Sequence, residues 1–263
     1  MKQIEKFSLY KGDVELTLDG RHIYRASIKK AEPEIVYGVT SITNIISKPA
    51  LLNWGIKACA DEVMEEAKRL GWQEFCKTLS KVLLNAKGAS KRLSKEAMDL
   101  GTRVHERAEN WANKEIGRKD VIEMLKMENT EERLSCSALL EFFEKYKLEP
   151  IELEGKCFSV KENFAGTVDY IGKMDGVMTV LDYKTSKAVY EGYLPQVSAY
   201  AEAKKEEGYD IKQVAVVRVG KDGVLEVVIK KNWKEYYEAF LAMKKLYEYR
   251  MSLKGRKYKK VKK

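Results

Sequence analysis

Apolar and polar positions change rhythm three times along the chain. Residues 7 to 30 alternate, which predicts a hairpin around Gly12-Asp13 and a third short strand from His22 to Ile28. After VYGVTSITNII the period becomes helical to about residue 147, with Thr40 or Ser41 as the first cap and breaks near Lys48-Pro49, Gly71, Gly88 and Gly117. From Ile151 alternation returns. IELEGKCFSV reads as a strand, GTVDYIGKMDGVMTVLDYKTSK as two strands, and QVAVVRVG with GVLEVVIK as a further pair around a turn at Lys221 to Gly223. Between these pairs Val197, Tyr200, Ala201 and Lys204 recur at helical spacing, so a helix crosses from one to the next, and a last helix runs from about Asn232 to Leu253. Strands joined by a crossover helix and preceded by a helical region make an α/β or α+β arrangement. The expected boundaries are a β-rich segment 1–38, a helical region 39–147, a core 148–253 and a tail 254–263.

The Asp175-Gly176 dipeptide is a two-residue hairpin signal. With it as the loop, Met174 faces Val177, Ile171 faces Val180, and Asp169 faces Asp182. Directly opposed residues have Cβ atoms about 4.5–5.5 Å apart, where two carboxylates repel unless a cation lies between them. A divalent metal is the natural occupant. Lys184 shares a strand face with Asp182, about 6.6 Å further on, and overlooks the same site. Carboxylate oxygens suit Mg²⁺ or Mn²⁺, and a bound divalent ion both activates water and neutralises charge on a reacting phosphate. The chemistry suggested is phosphodiester hydrolysis. Lys184 would orient or help deprotonate the water, and a metal nearby would lower its pKa.

Composition bounds this picture. The chain is 44% hydrophobic and 34% charged with four Pro, as in a helix-rich globular protein. It has no run of about 18 apolar residues and no signal-peptide core at its start, so no membrane association and a cytoplasmic location are expected. Cys59, Cys76, Cys136 and Cys157 form no CxxC pair and read as packed thiols. Much of the +9 net charge sits in the last ten residues, KGRKYKKVKK, with seven basic and no acidic side chains. Lys257, Lys259 and Lys260 there suit a phosphate backbone, or simply a solvated terminus.

Further candidates flank the hairpin. Glu154, and Glu152 on the same face by alternation, either reach the carboxylates or line a solvent face. His105 is one helical turn from Glu109 and is either a metal contact or a packed residue. Gln196 and Tyr200, also one turn apart, either present an amide and a phenol to substrate or pack and cap. His22 is read as structural.

Taken in order, Gly101 to His105, Glu154, Ala165-Gly166-Thr167-Val168-Asp169, Asp182-Tyr183-Lys184-Thr185 and Gln196 to Tyr200 resemble the five motifs of the PD-(D/E)XK nucleases, within them the RecB-like exonucleases. The segment VTSITNIISKPALLNWGIKACADEV looks like the N-terminal region of phage-type and mitochondrial genome-maintenance exonucleases. The resemblance implies a restriction-endonuclease-like mixed sheet flanked by helices, with an inserted helical arch within residues 40–147 that threads a strand. It also implies a metal held by His105, Asp169, Asp182 and the Tyr183 carbonyl. Lys184 would act at the water, with Glu154 beside the catalytic residues and Thr185, Gln196 and Tyr200 near DNA. Several RecB-like enzymes carry an iron-sulfur cluster on late cysteines; this chain has none after Cys157, so no cluster is expected, and iron in the purified protein would overturn that.

The expected activity is a Mg²⁺- or Mn²⁺-dependent DNA exonuclease acting on single-stranded or frayed ends in phage-type recombination, replication or repair, with a single-strand annealing or binding protein as a partner, in a bacterial or phage-infected cell. The alternatives are a nucleic-acid-binding recombination partner gripping DNA through its tail and Trp54, Trp72 and Trp111, or an endonuclease or RNase on the same scaffold.

Overall fold

The structure is a computed structural model and describes residues 4–46, 49–114 and 116–255. Lys257, Lys259 and Lys260 lie outside the described residues. The chain divides into two compact units, residues 1–46 with 104–263, and residues 47–103.

The larger unit is built on one mixed sheet of nine strands among the described residues. Strands β1 (Ile4–Leu9), β2 (Val14–Asp19), β3 (Tyr24–Ile28) and β4 (Glu34–Gly38) form an antiparallel run. The hairpin expected around Gly12-Asp13 closes through a short 3-10 turn at Tyr10–Gly12. β4 was not anticipated, and it is what joins this run to the rest: Tyr37 and Gly38 pair in parallel with Phe164 and Ala165.

β5 (Leu148–Ser159), β6 (Phe164–Met174), β7 (Val177–Lys184), β8 (Gln213–Val219) and β9 (Leu225–Lys230) complete the sheet. The hairpin register is as expected, from Met174↔Val177 through Ile171↔Val180 to Tyr170↔Leu181, with Asp175 and Gly176 both at positive φ (51° and 78°). One edge of β6 is taken by β5 along nearly its whole length. The other edge is shared, β4 pairing at residues 164–165 and β7 only from Tyr170 onward. Gly166 to Asp169 therefore face a fork. β7 stays beside β8 throughout, with Asp182, Tyr183 and Lys184 opposite Val216, Val217 and Arg218.

The crossover helix α7 (Tyr193–Glu207) covers one face, burying Val197, Tyr200 and Ala201 against Val168, Ile171, Val180 and Val216. The terminal helix α8 (Lys234–Leu253) adds Phe240, whose ring lies 4.9 Å from Phe164. Truncating such a buried ring costs about 3–5 kcal/mol. This is the restriction-endonuclease-like arrangement expected, a mixed sheet flanked by helices.

The helical region begins at α1 (Val39–Thr43), whose cap position is Gly38, with no side-chain cap bond. Thr40 and Ser41 lie inside the helix, so neither is the cap. The expected breaks hold, giving α2 (Pro49–Leu70), α3 (Trp72–Ala86), α4 (Ala89–Ala112) and α5 (Arg118–Leu125). A further break precedes α6 (Thr130–Lys145), where the Asn129 side chain accepts the Glu132 N–H. The region does not pack as one body. α2, α3 and the start of α4 form the unit 47–103, while α5, α6 and the end of α4 belong with the sheet. No helix among the described residues is long and apolar enough to cross a membrane.

Candidate active site

Side chains gather at the fork between β6 and β7. Asp169 is the last β6 residue before β7 rejoins the ladder, and its Oδ2 accepts the Tyr183 N–H at 2.7 Å, replacing a strand bond with a side-chain bond. His105 Nδ1 lies 3.4 Å from the same oxygen. It is delivered by α4, where Val104, Ala108 and Trp111 form the buried seam and His105 sits at its margin. Tyr183 is buried between His105 and Phe142 of α6, with ring centroids 6.2 and 5.9 Å away.

One ligand atom each from His105, Glu154 and Asp169 falls within 4.8 Å of the others. This imidazole-plus-two-carboxylate set fits a divalent ion. It contains Glu154 where the resemblance implies Asp182. Asp182, 2% exposed, is instead engaged beside it. Its Oδ1 accepts from Gln196 Nε2 at 3.2 Å, and Lys184 Nζ lies 2.5 Å from Oδ2.

The electrostatics agree. Burial and then the charge of Asp169 push the Glu154 carboxyl up to about 7. Asp182 is raised by burial and by Asp169, against the pull of Lys184, whereas Asp169 is held low despite its burial by His105, Lys184 and the Tyr183 N–H. Burial opposes a charged His105, but Asp169 outweighs it and lifts the imidazole to about 9. Burial likewise opposes the Lys184 ammonium, yet Asp182 and Asp169 hold its pKa above the ordinary lysine value. Two carboxylates are its nearest charges, which is why the lysine shift is upward.

Metal ligands must be deprotonated, so these values set a pH dependence. Mn²⁺ affinity, followed by calorimetry, is expected to rise with pH as Glu154 loses its proton near 7, and to keep rising towards 9 as His105 loses its own. A plateau reached below pH 6 would remove both from the ligand set.

Gln196 and Tyr200, expected near DNA, are buried and turned to the carboxylates: Gln196 Nε2 also donates to the Tyr200 hydroxyl at 3.0 Å. They orient Asp182. A Cβ at Gly166 would lie 2.5 Å from the Tyr200 ring, which is why the Gly166 position of the β6 motif carries no side chain. Thr185 follows β7, partly exposed. Trp111 is 2% exposed, packed edge-on against Phe143 under Arg107, so it has no free face for a base. Trp72 is exposed.

Glu152 does not share the site, because alternation fails at Glu154, whose φ is +49°. Glu152 pairs with Lys204 at 2.8 Å instead. Tyr193 was missed. Its ring centroid lies 5.0 Å from Lys184 Nζ, and its spacing of three from Gln196 and seven from Tyr200 places all three on one helical face, a signal readable from α7 itself.

A search of curated proteins finds no match. A family model matches residues 78–254, a span that includes His105, Glu154, Asp169, Asp182 and Lys184, and by that match the chain belongs to the PD-(D/E)XK nuclease superfamily.

Proposed function

We propose that the chain is a Mg²⁺- or Mn²⁺-dependent exodeoxyribonuclease acting at single-stranded or frayed DNA ends in phage-type recombination, replication or repair. The observation that carries this reading is the convergence of His105, Glu154 and Asp169 within 4.8 Å, beside the Lys184–Asp182 pair. His105, Glu154 and Asp169 would hold the ion. A divalent ion so bound lowers the pKa of a water and offsets charge on the scissile phosphate. Lys184, protonated at neutral pH, donates to the attacking oxygen and stabilises charge on the phosphate. Asp182 and the Tyr193 ring fix the ammonium, and Gln196 fixes Asp182.

Digestion of end-labelled linear and covalently closed DNA, single- and double-stranded, in Mg²⁺, Mn²⁺ or EDTA, tests the reading. Loss of linear substrate alone, only with metal, supports it and reveals polarity from the labelled end. Equal cleavage of closed circles makes the protein an endonuclease, and preference for RNA makes it a ribonuclease. Tight binding with no cleavage of any substrate makes it a binding protein.

The basic tail gives a separate prediction. Deleting residues 254–263 should weaken DNA binding and flatten its salt dependence, by about 0.7 in slope for each phosphate of a single strand that the tail no longer neutralises. An unchanged slope would make the tail a bystander.

A further inference from the structure

We propose that Glu152, Tyr209 and Lys204 are positioning residues that turn the Glu154 carboxylate into the metal site; this rests on the metal-dependent reading above. Regular alternation would leave Glu152 and Glu154 on one face of β5. Three features break it. Glu154 holds a φ of +49°, a region that residues with side chains rarely adopt and that surrounding structure must enforce. At Gly155 a Cβ would lie 2.5 Å from Glu152 Oε2 and 3.2 Å from Ile171 Cδ1, so the Glu152 side chain occupies the space that a residue other than glycine would fill.

The third feature is the anchor. Lys204 of α7 is fully buried, with Nζ 2.8 Å from Glu152 Oε2 and 2.9 Å from Glu207 Oε2, and the Tyr209 hydroxyl donates to Glu152 Oε1. A buried ammonium between two carboxylates is held firmly, since neither charge can leave without stranding the other. Glu152 is therefore fixed on the α7 side, where Cys157 and Ile171 also pack. The chain passes from Glu152 to Cys157 by turning one residue over, and that residue is Glu154, whose carboxylate meets His105 and Asp169. None of the three anchoring residues belongs to the ligand set; they act through Glu154.

The test measures Mn²⁺ affinity by electron paramagnetic resonance, at a temperature where circular dichroism shows each variant folded. The variants are Glu152→Ala and Tyr209→Phe, each alone and combined with Glu154→Gln. Glu152→Ala should weaken Mn²⁺ about tenfold or more, the scale typical of residues that orient a ligand. Tyr209→Phe, which removes one hydroxyl and is the milder change should Glu152→Ala fail to fold, should shift affinity the same way by less. Neither loss should persist in the Glu154→Gln background. A purely structural role would lower the melting temperature and leave Mn²⁺ affinity of the folded protein unchanged. Wild-type affinity in both variants, with Glu154→Gln weak, would overturn the proposal, as would losses that add fully to that of Glu154→Gln. Wild-type affinity in Glu154→Gln would instead overturn the ligand assignment on which it rests.

Discussion

Lys184→Ala should slow DNA hydrolysis on the order of 10²–10³-fold, the usual worth of a preorganised donor to developing charge, while DNA affinity in Ca²⁺ changes little. The argument is geometric. The ammonium is mostly buried, 2.5 Å from Asp182 and over the Tyr193 ring, so it touches one phosphate at most and contributes little to the overall grip on a strand. Its removal also takes away the one group that pulls the Asp182 pKa down most, so Asp182 stays protonated to higher pH in the metal-free protein. Titration of the Asp182 carboxyl in the metal-free variant, followed by NMR, should accordingly move to higher pH. Single-turnover kinetics, with the enzyme varied in excess over DNA, would check the rate. A loss that disappears at saturating enzyme would show that Lys184 binds substrate rather than assisting the reaction.

The second large effect is at Asp169, where charge and hydrogen bonding can be separated. Asp169→Asn removes the negative charge but keeps an oxygen able to accept the Tyr183 N–H. It should abolish detectable cleavage, weaken Mn²⁺, and drop the His105 pKa from about 9 towards or below the ordinary value, because Asp169 is what raises it. Asp169→Ala should do all of this and also strand the Tyr183 amide, a further cost of about 1–3 kcal/mol. Because the Asp169 carboxyl is held low in the folded state, its ionised form stabilises the protein above the ordinary carboxylate pKa, and that contribution fades as pH falls through the lowered value. Both variants should thus be less stable than wild type at pH 7, alanine more so. Equal melting temperatures for the two would show that the Tyr183 amide does not depend on Asp169. Full activity in the asparagine variant would remove Asp169 from the ligand set.

Much of the site was legible because local chemistry dictated it. Asp175-Gly176 accepts positive φ at both turn positions, so the register could be counted outward from the turn as far as Tyr170 and Leu181; one step further the strands part, and Asp169 meets the Tyr183 amide rather than pairing with Asp182 in the ladder. Breaks at Gly71, Gly88 and Gly117 were legible for a similar reason, since glycine punctuates a helix by its own backbone. What escaped reading depends on contacts across the fold. Glu152 and Glu154 look equivalent in an alternating string, and only the buried Lys204 and the space above Gly155 separate them. Trp111 resembles Trp72 in sequence, yet one is buried and the other exposed. Gln196 and Tyr200 were placed beside the right residues but given to substrate, because a helical period cannot say that a glycine on the neighbouring strand draws the helix in close.

The fork in the sheet also bears on strand pairing between copies of the chain. A strand edge with open backbone groups is what a ligand needs and also what another copy of the chain could pair with. Here the opening along Gly166–Asp169 is internal, bounded by β4 on one side and β7 on the other, too short and too enclosed to template a foreign strand. The outermost strands are protected differently: β1 carries Glu5 and Lys6, and β9 carries Glu226 and Lys230, charges that discourage pairing between molecules. The fork thus differs from the outer edges in that its open backbone is flanked by strands on both sides.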